Sequence, residues 1–388
     1  MRILLCHNFY QQPGGEDEVF RSEARLLEEK GHEVFRWTVD NKKITGCSFV
    51  GVALASVWSR QSVVELEQRI LLEKPDLVHF HNTFPLMSPA VYYVCGKHDV
   101  PVVQTLHNYR LVCPSALLYR DGKVCRDCVG RAFPLPGVRY ACYRKSRLQT
   151  LVSGAVTSVH WRLGSYQSKV GAFIALTDFA KALFCRAGLP PERIHVKPNF
   201  ILPDPGARVG AGSGFFYAGR LQPEKGVATL MRAWEGLAVP LVVAGDGELR
   251  DQVVDSTRRS ASIRYEGRVP RERLFALMKQ SKALVFPSEW YEGFPLLIAE
   301  AMACGVPVIA ARLGAAASLV TEGETGLLFT AGDAGELSAR IRWLESHPED
   351  TVRMGGLARR EYEAKYTADK NYDLLMAIYA HAARCSRD

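Results

Sequence analysis

Short apolar runs alternate with amphipathic stretches along the whole chain. Residues 3–6 are apolar, end at His7-Asn8 and lead into Pro13-Gly14-Gly15. Residues 19–30 then set Val19, Phe20, Ala24, Leu26 and Leu27 among charges, Gly31 stops the stretch, and Val34-Phe35 opens a second apolar run. Strand, helix and strand in that order predict a βαβ unit and therefore a parallel sheet. The pattern continues with a helix over 63–74, a strand ending His79-Phe80-His81-Asn82, and a buried strand over 100–106 that delivers His107 at its carboxyl end. A strand over 170–176 is followed by Thr177-Asp178, which caps a helix over 179–187 that stops at Gly188. Residues 194–197 end this half, and the Pro- and Gly-rich stretch up to 214 reads as a linker.

The second half repeats the theme. An apolar run over 215–218 enters the loop Gly219-Arg220-Leu221-Gln222-Pro223-Glu224-Lys225-Gly226. Runs over 241–244 and 263–267 follow, the first ending in Gly245-Asp246-Gly247 and the second in Arg268-Val269. Residues 283–286 end at Pro287, a polar and aromatic loop covers 288–293, and Pro295 suits the first position of a helix, where a missing N–H costs nothing. That helix runs to Ala303, Gly305 and Pro307 stop it, and a further strand begins at Val306. A helix over 334–344 and a helical stretch over 362–383 complete the chain.

A chain of 388 residues is too long for one average domain and comfortable for two. With 47% hydrophobic and 23% charged residues it is neither a disordered nor a fibrous sequence. The first apolar run is too short for a signal peptide, and no stretch approaches the ~18 apolar residues that span a bilayer. The expectation is a cytoplasmic protein, peripheral at the inner membrane face if it meets a membrane at all.

Charge sharpens that picture. Residues 101–170 hold eleven Lys and Arg against two Asp, an excess of nine, which exceeds the net charge of +8 for the whole chain. The basic character is therefore one local patch, suited to an anionic membrane surface or a lipid-linked diphosphate. The same region carries Cys113, Cys125, Cys128 and Cys142, with the middle pair reading C-R-D-C. Four thiolates with such a knuckle can build a structural zinc site, and cysteines are equally common as small core residues.

Candidate chemistry collects at the carboxyl ends of the expected strands, where open α/β sheets bind ligands. His107 is one such residue, and His79 and His81 alternate onto one face of the strand before it as a polar strand end. Gly14-Gly15 is either an ordinary tight turn or a place where backbone approaches a phosphate or sugar. Arg220 and Lys225, with Gly226 allowing close approach, make a diphosphate clamp. Glu292 lies just before a helix N-terminus, and Glu300 sits inside that helix among Leu296, Ile298, Ala301 and Met302, where a carboxylate needs partners.

Glu292 and Glu300, with seven residues between them in EGFPLLIAEAMACGVPVIA, closely resemble the signature of the retaining glycosyltransferases of family 4, and G-R-L-x-x-E-K-G resembles that family's pyrophosphate loop. The resemblance covers most of both halves, is of the polysaccharide-assembly type, and has the cysteine-bearing insert as its main departure. It implies an α/β protein of GT-B architecture, two Rossmann-like domains with parallel sheets facing across an interdomain cleft. The implied organisation is an acceptor-side domain over 1–200 with an insert near 108–147, a linker over 201–214, a nucleotide-sugar domain over 215–365, and a C-terminal helix over 366–388 packing back toward the first domain. The implied activity is a hexosyltransferase-like, retaining transfer from a UDP- or GDP-sugar to a saccharide or lipid-linked saccharide, without a catalytic metal. In the implied roles Arg220 and Lys225 grip the diphosphate, Glu292 and His107 hold the sugar, and Glu300 holds the ribose. Gly15, Gly293, Phe294, Pro295 and Leu296 approach the donor with their backbones, and Val269 meets the base. A sugar-nucleotide epimerase or a phosphorylase of the same architecture is a rival. A basic zinc-containing nucleic-acid-binding protein is a weaker one, because it leaves the second half unexplained, and no nucleic-acid partner is expected.

Overall fold

The computed structural model describes residues 1–11, 14–44 and 48–385, with Lys43 described by its backbone only. Two compact units divide the chain. The first comprises Met1–Leu118, Arg126–Asn199 and Asn371–Asp388, and the second Tyr119–Cys125 and Phe200–Lys370. A short stretch of the basic insert thus groups with the second unit, whereas the sequence reading kept the whole insert in the first.

The strands of the first unit are β1 (Arg2–Phe9), β2 (Glu33–Asp40), β3 (Leu77–Asn82) and β4 (Val102–Leu106). A two-stranded antiparallel hairpin, β5 (Tyr119–Arg120) and β6 (Lys123–Val124), comes next in the chain and belongs with the second unit, before β7 (Ala172–Ala175) and β8 (Ile194–Val196). The sheet order is β2-β1-β3-β4-β7-β8, every pair parallel. The second unit contributes β9 (Phe215–Ala218), β10 (Leu241–Ala244), β11 (Ile263–Gly267), β12 (Ala283–Phe286), β13 (Val308–Ala311) and β14 (Gly326–Phe329). Its order is β11-β10-β9-β12-β13-β14, again all parallel, which is the doubly wound Rossmann order. The chain reverses direction across each sheet at β1/β3 and at β9/β12, so those two positions are the crevices to inspect.

Strands buried on both faces carry continuous apolar runs, as parallel sheets require. Ile3, Leu4, Leu5, Leu77, Val78 and Phe173 are fully buried in the first unit. In the second, Phe215, Val243, Val285 and Ile309 pack with Trp234, Leu337 and Ile341 into one core. Trp234 keeps its indole N–H satisfied on the Val239 carbonyl at 2.8 Å.

The helix Gly15–Glu29 starts four residues earlier than its apolar pattern. Gly14 N–H donates to the Asp17 carboxylate at 3.0 Å, and Glu16, Asp17 and Glu18 fill the first turn, where acidic groups complement the helix dipole. Pro295 lies one residue before its helix, Leu296–Ala303, at the cap position. The C-terminal stretch is two helices, Pro348–Lys365 and Ala368–Cys385, which the apolar pattern ran together.

Candidate active site

In the second unit the loops after β9 and β12 meet at the switch point. Gly226 is held at φ +70°, and a Cβ there would run into the carbonyl oxygen of Pro287, so only glycine lets the two loops close. The Glu289 N–H donates to the Glu224 carbonyl at 2.8 Å, and Thr229 Oγ donates to the Glu289 carboxylate at 2.6 Å. This frame brings Lys225 Nζ to 2.7 Å from Glu292 Oε1, and Ser288 Oγ donates to the same oxygen at 2.6 Å. Lys225 also sits over the Trp290 ring, 5.0 Å from its centroid. Arg220 is more open and faces Glu224 at 3.7 Å. Behind them the Tyr217 hydroxyl donates to the Arg220 carbonyl at 3.2 Å, and burial, then Glu292 and Glu224, hold its phenol well above the usual range.

Glu300 is half-buried and has found the partner that its apolar helix demanded: Arg271 Nη2 lies 3.1 Å from its Oε1. Gly293 is half-buried, Phe294 and Pro295 are buried, and Leu296 opens the helix. Val269 lies half-buried in the loop that leaves β11. The C-terminal edge of this one sheet therefore gathers Arg220, Lys225 and Glu292 beside the start of the Leu296 helix, with two cations able to hold an anion.

The switch point of the first unit is a polar network. Glu23, fully buried on the Gly15–Glu29 helix, lies 3.1 Å from His79 Nδ1, 3.2 Å from His81 Nε2 and 2.8 Å from Lys197 Nζ. Burial pushes the Glu23 carboxyl up, but Lys197, His79 and His81 together outweigh it and hold it well below the usual carboxylate range. His79 also bonds Tyr379 Oη and Thr105 Oγ, each at 2.8 Å, so it belongs to the core and not to the crevice expected of it. His81 Nδ1 lies 3.0 Å from His107 Nε2. Burial and His79 push His81 down to about 3, with Glu23 opposing, and burial with His81 and His7 carries His107 well below the usual imidazole range. Both rings are neutral at neutral pH. With Glu23 accepting from His81 Nε2, His81 Nδ1 accepts from His107 Nε2, which leaves His107 Nδ1 as a lone-pair acceptor. A cavity of about 60 Å³ opens beside it, lined by His81, Gln104, His107, Asn108, Arg110 and Tyr166 among others.

Next to this cavity Asn108 Nδ2 lies 3.2 Å from Tyr10 Oη and 3.3 Å from Glu16 Oε2. Burial and the adjacent Asp17 push the Glu16 carboxyl up to about 8, against Asn108, Tyr10 and Arg110. Gly15 is exposed and is the first residue of the helix. Sequence reasoning passed over Glu16, Glu23 and Lys197. A signal was present in Glu23, which falls at helical spacing on the face of Val19, Phe20, Leu26 and Leu27, but its pairing with Lys197 spans 174 residues.

Two sets of side chains bring three ligand atoms within 4.8 Å of one another among the described residues: Glu23 with His79 and His81, and His7 with Glu16 and Asp17. Lys197 already occupies the first. The Cys113, Cys125, Cys128 and Cys142 quartet forms no such set: Cys113 Sγ lies 3.3 Å from Ser115 Oγ, and Cys113 and Cys128 are buried while Cys125 and Cys142 are half-buried.

Profiles of two families match the chain, Glycosyltransferase Family 4 over residues 13–204 and Glycosyl transferases group 1 over 212–361. The chain belongs to the family-4 glycosyltransferases. The glycogen synthase of Mycobacterium tuberculosis is 26% identical over 335 residues, covering 81% of this chain and 70% of that protein. The O-antigen chain mannosyltransferase B of Escherichia coli is 34% identical over 165 residues, 40% of this chain and 42% of that one. Among solved structures, HepE of Anabaena in complex with UDP superposes with a TM-score of 0.67 at 17% identity, covering 98% of this chain and 100% of that one. The sucrose-phosphate synthase of Thermosynechococcus elongatus gives 0.70 at 17% identity, covering 98% of each. These likenesses establish the GT-B fold, and the family makes this glycosyltransferase an enzyme.

Proposed function

We propose that this glycosyltransferase transfers a hexosyl group from a nucleoside-diphosphate sugar, a UDP-sugar first, to a hydroxyl of a lipid-linked saccharide, with retention at the anomeric carbon. The observation that carries the reading is the Lys225–Glu292 pair beside Arg220 at the β9/β12 switch point. Lys225 and Arg220 neutralise charge growing on the departing diphosphate, in place of a divalent metal. The bond from the anomeric carbon to the β-phosphate oxygen breaks, the acceptor oxygen bonds the same face, and the acceptor proton passes to the leaving phosphate oxygen. Glu292 holds sugar hydroxyls, Glu300 the ribose and the Val269 backbone the base, with Gly15, Gly293, Phe294, Pro295 and Leu296 close to the donor. His107, through its neutral Nδ1, accepts from a sugar hydroxyl. UDP is favoured because HepE was solved with UDP and with UDP-glucose. The acceptor class is favoured by O-antigen mannosyltransferase B and by the D-rhamnosyltransferase WbpZ of Pseudomonas aeruginosa, 30% identical over 158 residues.

The test is calorimetric titration with UDP and GDP, with and without EDTA, followed by proton NMR of the product anomer. Binding of one nucleotide that survives EDTA and weakens when Arg220 and Lys225 are both replaced by Ala supports the reading. Unchanged affinity in that double variant, or an inverted anomer, refutes it.

A further inference from the structure

Two neighbouring helices of the first unit are inside out. Phe49–Val57 carries no charge, yet its one buried side chain is Ser56, while Phe49, Val50 and Leu54 are 43%, 63% and 67% exposed and Trp58 follows at 41%. Arg147–Arg162 buries Thr150, Ser153, Gly154, Thr157, Ser158 and His160, with Val156 as its one large apolar contribution. Leu148, Leu151, Val159 and the following Leu163 are exposed instead, on about a third of the helix circumference. The buried polar groups are satisfied: Ser153 Oγ donates to the Pro114 carbonyl at 2.9 Å, and Thr157 Oγ to the Ser153 carbonyl at 2.8 Å. His160 Nε2 bonds the Val57 carbonyl at 2.8 Å, and its ring stacks on Trp58, which ties the two helices together. The polar side of this pair is thus its finished, inward side, and the apolar side awaits a non-aqueous medium.

The charges around it say which medium. No acidic residue occurs over 41–64 or over 128–177, while Arg60, Arg139, Arg144, Lys145, Arg147 and Arg162 are exposed there. A second copy docked on this face would set like charges against each other. We propose that this face is a membrane-interface surface for an anionic phospholipid leaflet. The leucines and aromatics enter the boundary between headgroups and acyl chains, and the ring of Arg and Lys meets lipid phosphates. The proposal locates the lipid-borne acceptor of the previous section and rests on that reading. The two fail separately, since vesicle binding is measured with no donor or acceptor present.

The test is flotation of the full chain with vesicles of phosphatidylglycerol and phosphatidylethanolamine, against vesicles of phosphatidylcholine alone, at low salt. The first should carry the protein and the second should not. The variant R144Q/K145Q should weaken partitioning roughly thirtyfold at low salt. The variant L54S/L151S should weaken it by about tenfold or more at any salt, because it removes buried apolar area. Both should keep the wild-type melting temperature, since the altered side chains are exposed. The proposal is overturned if anionic vesicles leave the wild type behind, or if both variants float like it. It is equally overturned if light scattering shows a wild-type dimer that L54S/L151S dissociates, for then a second copy covers the face.

Discussion

Replacing Glu23 by Gln should unfold the first unit more readily than any surface change. The carboxylate is fully buried and holds Lys197 Nζ at 2.8 Å, and the ammonium is itself 1% exposed. Lys197 also donates to the neutral Asn371 Oδ1 at 3.1 Å, so the substitution leaves a buried cation whose counter-charge is gone. Breaking one side of such a pair costs about 3–5 kcal/mol, a fifth or more of the stability of a typical domain. Hydrogen exchange read by mass spectrometry separates this unit from the other. Amides of β1 and β3 that open only with global unfolding should exchange about 150-fold to 5,000-fold faster in E23Q, while β9 and β12 stay as in the wild type. Adding Lys197→Met should return part of the loss, with a coupling of about 1.5 kcal/mol or more. Because the Glu23 carboxyl titrates below the ordinary range, its stabilisation is complete above about pH 4.3, the unfolded value, and is lost as pH falls through the folded one. A cost under about 1 kcal/mol at neutral pH, with additive single and double variants, would refute the network as described.

Lys225→Met should weaken UDP binding by about tenfold to a hundredfold in calorimetry, the loss of one charge-assisted contact. Gly226→Ala should lower the stability of the second unit by about 1–3 kcal/mol in urea unfolding, because φ +70° and the Pro287 carbonyl both oppose a Cβ. Glu16 binds its proton more tightly folded, at about 8, than unfolded. Its stabilisation is therefore present at acid pH and lost as pH rises through about 8, so the wild-type melting temperature should fall relative to E16Q between about pH 5 and pH 9.

The apolar runs carried the sheets, because a strand buried on both faces writes its burial into four or five consecutive residues. Phe215, Val243 and Val285 show this directly. In the G-R-L-x-x-E-K-G loop the glycine at 226 and the lysine beside it lie within one turn, so their closeness needs no tertiary information. What stayed hidden was pairing across distance. Glu300 looked stranded in its helix until Arg271 came from the preceding one, and nothing near Lys225 in sequence announced Glu292 at 2.7 Å. The outward apolar faces of the two inverted helices stayed hidden for a related reason. An apolar stretch such as 49–57 reads as core by composition, and only the fold shows which side faces out.

The first unit is assembled from pieces far apart in the chain, and its last piece is the helix Ala368–Cys385. Asn371, which bonds Lys197 and the Pro198 carbonyl, and Tyr379, which bonds His79, both come from it. On the ribosome, the strands β1 to β4, β7 and β8 therefore emerge with these interior polar groups lacking their closing partners until this helix has been made. The second unit, whose six-stranded sheet is complete by residue 329, can consolidate first. The half of the protein that is translated first is consequently the half that matures last, and its waiting time equals the translation of everything in between.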